Sequence, residues 1–89
     1  MVYAQKAINE AQRVNRNNWL KAAGNRISDM VMNEARTGKR FVNICLNEFI
    51  VGAENLEEAA EMLDMLCDDL KEHNFGHKIT PDGELYITW

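Results

Sequence analysis

Two histidines four residues apart, His73 and His77, stand close to Cys67, and these side-chain types bind metal. A zinc site wants four ligands in tetrahedral array, and His and Cys supply them at characteristic short spacings. Here Gly76 and the end of a helix separate the two histidines, so they do not share a helical face, and no fourth ligand stands nearby. The pattern predicts surface histidines at a helix–strand junction and no metal. The carboxylates between Glu54 and Glu72 raise a different chemistry, general acid–base catalysis. That work needs a shifted carboxyl in a cleft with an orienting partner, whereas a row of acids along one helix face is ordinarily solvated surface. Cys45 has no histidine placed by a nucleophile motif, and no Gly-rich phosphate loop or GxSxG turn occurs. The sequence therefore predicts a non-enzymatic protein without a cofactor.

The charge distribution says more than any motif. Residues 1–40 hold eight basic groups against three acidic ones, a net of +5. Residues 41–89 hold two basic groups against eleven acidic ones, a net of −9, which together with the first part gives the overall −4. Such a division points to charged partners. On the acidic side, Glu57, Glu61, Asp64 and Asp68 are candidates for contact with a basic surface on a protein partner. On the basic side, Lys6, Arg13, Arg16 and Lys21, interleaved with Asn9, Asn15, Asn17 and Asn18, carry the alternative: binding to nucleic acid. No helix-turn-helix signature accompanies them, and overall acidity opposes long-range approach to a polyanion. The same positive charge has a plainer use, meeting the acidic half of its own chain or of a second subunit.

These residues must be positioned by few elements. At 89 residues the chain has room for one domain (1–89) with a thin core, so homo-oligomerisation is expected to complete it. No apolar run approaches the roughly 18 residues of a membrane span, the first ten residues lack a signal-like apolar core, and the two cysteines form no CxxC pair. A cytoplasmic location follows as the expectation.

Residues 3–36 have helical periodicity in two runs, Ala4-Ala7-Ile8-Ala11-Val14 and Leu20-Ala23-Ile27-Met30-Val31, separated by the helix-poor Asn15-Arg16-Asn17-Asn18. The pattern predicts two helices, about 3–15 and 18–36, joined by a kink. A single helix stays open because Ile8 and Trp19 share a face. Gly24 weakens the second run or marks a close contact, and Gly38 is a natural stop. Phe41–Leu46 alternates as a strand that extends or folds back through Phe49-Ile50-Val51. Asn55 and Glu58 form a capping box for a helix whose predicted buried stripe is Leu56, Ala59, Leu63, Leu66 and Leu70. Gly76 is expected at its left-handed cap or in a turn just beyond it. Pro81-Asp82-Gly83 then turns a hairpin between 77–80 and 84–89, with Leu85, Ile87, Trp89 and Ile79 on the apolar face.

The fold class is thus α+β: an N-terminal helical region followed by a β-α-β-β unit with a small three-stranded sheet. The expected sheet is mixed, its first two strands parallel and joined by a right-handed crossover, with the acidic helix on one face and the N-terminal helices on the other or at an oligomer interface. The stretch Ala35-Arg36, the Gly38 stop, strand 41–46, the acidic helix and the terminal Ile87-Thr88-Trp89 resembles a type of small phage-encoded accessory protein. The resemblance implies a host-takeover, anti-defence or virion-accessory role, in the host cytoplasm, and transfers no functional residue.

Overall fold

A computed structural model describes residue 1 and residues 3–89. The expected kink is absent: α1 runs unbroken from Ala4 to Arg36. Asparagines are weak helix formers, costing at most about 0.7 kcal/mol each relative to alanine, but they neither remove a donor nor clash. Arg16 and Trp19, in and just after the asparagine-rich stretch, are moreover tied to the rest of the fold. At about 100° per residue the two apolar runs differ in phase by roughly 160°. One helix therefore presents its first run to one side and its second, through Ala23, Ile27 and Val31, to the core. Its end is a Schellman motif: Gly38, at φ 88°, donates to the Ala35 carbonyl and Lys39 to that of Glu34.

Strand β1 covers Phe41–Cys45 and stops one residue sooner than its alternation suggests. Its neighbour begins at Glu84, opposite Cys45, and the Leu46 amide makes a last bond to the Gly83 carbonyl. With no strand left to pair, the chain turns into a short helix, α2 (Leu46–Phe49), in place of a continued strand. That turn buries Phe49 to 2 % exposure. The Trp19 indole donates to the Phe49 carbonyl at 2.6 Å, and the Arg26 guanidinium lies 4.4 Å from the Phe49 ring centroid.

Helix α3 (Leu56–Glu72) starts as expected, with the Asn55 side chain accepting from the Glu58 amide at 2.8 Å. Its buried stripe is Met62, Leu66 and Leu70, whereas Leu56 in the first turn is 90 % exposed. Because α1 packs along the Glu58–Met62–Asp69 side, the buried stripe is rolled toward Met62 and away from Leu56. The left-handed cap is Asn74 at φ 64°, not Gly76. Gly76 instead opens β2 (Gly76–Ile79), where a Cβ would collide with Thr88 Oγ1.

The hairpin forms at Pro81-Asp82-Gly83: Gly83 takes φ 79° and donates to the Thr80 carbonyl at 3.1 Å. β3 spans Glu84–Thr88 and lies between the other two strands, in the order β1-β3-β2. Both pairings are antiparallel, so the sheet is not mixed. β1 and β2 run in the same direction but never touch, because β3 is inserted between them. Burial explains the choice: Leu85 and Ile87 are fully buried, while the polar β2 is exposed throughout and suits an edge. Ile79, placed by its pattern on the apolar face, is 48 % exposed on that edge.

One apolar cluster holds the fold together. It joins Ala23, Ile27 and Val31 of α1, Val42 and Ile44 of β1, Leu66 and Leu70 of α3, and Leu85 and Ile87 of β3. Both long helices thus cover the same face of the sheet. The other face, with Phe41, Asn43 and Cys45 exposed, carries no helix among the described residues, so of the two places expected for the N-terminal region this one is not used. Residues 4–15 of α1 are exposed all round and project beyond the sheet. The molecule measures 56 × 24 × 19 Å, with a radius of gyration of 15.0 Å, against about 12 Å for a compact chain of this length.

Candidate functional site

The candidate acids sit where the helical pattern places them. Glu57, Glu61, Asp64 and Asp68 are all exposed and lie about half a turn around α3 from Met62, Leu66 and Leu70. Among the described residues Glu57, Asp64 and Asp68 have no ion-pair partner, and Glu61 is bound by Arg16. Packing fixes the face, because rotating α3 would expose its buried stripe.

The four candidate cations are not brought together. Arg16 turns into the domain, binding Glu61 and lying 3.7 Å from Glu58, and its side chain is 28 % exposed. The hydrogen bond it donates to Glu61 is the main reason that its guanidinium holds its proton more tightly than usual. Arg13 pairs with Glu10 on its own helix, which lowers the Glu10 carboxyl through the same bond. Lys6 stands on the projecting half of α1, and Lys21 stands about four turns away beside α3. Neither has an ion-pair partner among the described residues. Part of the basic charge therefore meets the acidic half of its own chain.

Between α1 and α3 opens a cleft of about 420 Å³ that the sequence reading missed. Its lining is mixed: Leu20, Ile27, Leu66, Leu70 and Phe75 are apolar, and Asn17, Lys21, Asn25, Ser28, Asp69 and His73 are polar. The two helices run in the same direction: Arg16 meets Glu58 and Glu61, and eight residues on Gly24 meets Asp69. Gly24 lines the cleft wall. A Cβ built there meets only Asp69 Oδ2, at an ordinary 3.7 Å, so close packing does not require the glycine. Gly24 was the one sequence signal for the cleft.

His73 Nδ1 donates to the Asp69 carbonyl at 2.7 Å, with the Asp69 carboxylate 3.7 Å away. That backbone bond, aided by the charges of Asp69 and Glu72, raises the imidazole pKa. His77 lies on β2 opposite Ile87, a different element from His73. Partial burial pushes the Cys67 thiol up, and the charges of Asp64 and Asp68 add to it, which disfavours the thiolate. Cys45 is exposed on the open face of the sheet. Among the described residues no three His, Cys, Asp or Glu side chains gather as a metal site, and no helix is long and apolar enough to cross a membrane. No protein-family model matches the chain, and neither a curated protein nor a solved structure matches it significantly.

Proposed function

We propose that the protein is a small non-enzymatic binding module that engages a basic protein surface through the exposed acidic face of α3. One observation carries the reading. Glu57, Asp64 and Asp68 form a single-sign row on a helix anchored to the sheet, and no cation of the chain neutralises them among the described residues. Anchoring matters because a rigid row of charge loses little side-chain and backbone freedom on docking. Complementary charge also speeds encounter and selects partners. A host-takeover or anti-defence role of the kind implied by the phage-like pattern is compatible with such a module. The nucleic-acid alternative draws less support, since Arg16 is committed to α3 and Arg13 to Glu10.

Affinity capture from the native cell, with wild type and a Glu57→Gln, Glu61→Gln, Asp64→Asn, Asp68→Asn variant, tests the proposal. The expected result is a partner with a basic surface, captured by wild type, weakened by salt and lost in the folded variant. Equal capture by both proteins, or an eluate of nucleic acid alone, contradicts it.

A further inference from the structure

We infer that the α1–α3 cleft is the anchor pocket of this interface: it takes an apolar side chain from a basic partner segment lying along the acidic face of α3. The inference deepens the acidic-face proposal and rests on it.

Three observations lead there. The first is Gly24. A glycine in mid-helix destabilises the helix relative to alanine, and at this position nothing in the packing demands it, because a Cβ would find ordinary contact distance to Asp69. What its absence does is widen the cleft that Gly24 lines. The second is composition. The lining is mixed: Leu20, Ile27, Leu66, Leu70 and Phe75 are apolar, and Asn17, Lys21, Asn25, Ser28, Asp69 and His73 are polar, so the cleft offers an apolar side chain a place to leave water with polar groups around it. The third is continuity. Going around α3 from its buried stripe, Asp69 on the cleft wall comes first, then Met65 and Glu72, then Glu61 and Asp68 of the acidic face. A segment lying on those acids therefore passes the mouth of the cleft. Interfaces concentrate their affinity in such arrangements, with one desolvated anchor in a pocket beside a charged rim. The charge beside the cleft selects the occupant. Its own lining sets Asp69 against Lys21 and His73, but the adjoining side of α3 carries Asp68 and Glu72, both exposed, so lysine or arginine is favoured on that side of the anchor.

A defined probe separates this inference from the reading beneath it. Binding of a short fluorescent lysine-rich peptide with one central tryptophan is compared, by anisotropy, with that of the same peptide carrying alanine there. Tryptophan amide alone is the third probe. Each is titrated into wild type and into Gly24→Leu and Ser28→Leu, two separate fillings of the cleft wall, with folding checked by circular dichroism. The expected result is about tenfold tighter binding of the tryptophan peptide to wild type. That advantage should disappear in both filled variants, while the alanine peptide binds all three proteins alike. Equal affinity of the two peptides overturns the anchor and leaves the acidic face standing. A tryptophan advantage that survives both fillings, or tryptophan amide binding as tightly as the peptide, also overturns it. If neither peptide binds, the acidic-face reading falls and this inference with it.

Discussion

Gly24, Asp69 and His73 show how much single side chains decide on this surface. Because a Cβ at Gly24 fits, Gly24→Ala should raise stability by about 1 kcal/mol, read from the urea midpoint at unchanged slope. A loss of stability would mean that the helices pack more closely there than 3.7 Å to Asp69 allows. Leu66, 1 % exposed between the helices and the sheet, should cost about 2–5 kcal/mol when cut to alanine. His73 adds a pH dependence whose sign follows from its raised pKa. The folded state holds the proton more tightly than the unfolded chain. Its contribution is therefore fully present below the unfolded value and is lost as pH rises through the folded one. The stability difference between wild type and His73→Gln should shrink over that window, and a difference that grows with pH would contradict the assignment. None of these three effects follows from residue type alone. His73 was legible as a helix-end residue, but its bond to the Asp69 carbonyl depends on where the helix stops.

At the scale of elements, legibility followed the locality of the forces. The capping of α3 by Asn55, the Gly38 stop and the Pro81-Asp82-Gly83 hairpin are set within a few residues, and each stands where its pattern placed it. The order of strands was not local. It depended on which strand buried the most apolar surface, and only the assembled sheet shows that Leu85 and Ile87 hold the centre. Likewise the phase change near Asn15–Asn18 looked like a break, but it is a change of neighbour along one continuous helix. The acidic face was legible because it needed only helical spacing, while the cleft needed the position of a second helix. The projecting half of α1 carries a prediction of its own. An isolated helix of about a dozen residues is marginal in water, and residues 4–15 are all exposed and contribute nothing to the buried core. Hydrogen exchange should be fast over 4–15 and slow over 19–34 in the monomer. Uniform protection at all concentrations would show that this half is stable without a partner, and protection that appears only on concentration would mark self-association.

The whole molecule is a rod-like helix with a sheet and an acidic helix on one end. The charge division of the sequence, +5 ahead of −9, is only partly cancelled across this body. Arg16 closes one contact between the halves, and Glu57, Asp64 and Asp68 keep an open row on the outer side of α3. The open face of the sheet offers a built-in control, since it is exposed but carries no such row. The most direct measurement places a photo-reactive residue at Ala60, which is exposed at the edge of the acidic face, or at Asn43 on the open sheet face, in the native cell. The account predicts a covalent adduct to a protein with a basic surface from Ala60, none from Asn43, and loss of the Ala60 adduct when Glu57, Asp64 and Asp68 are neutralised. Adducts from Asn43 and none from Ala60 would contradict it.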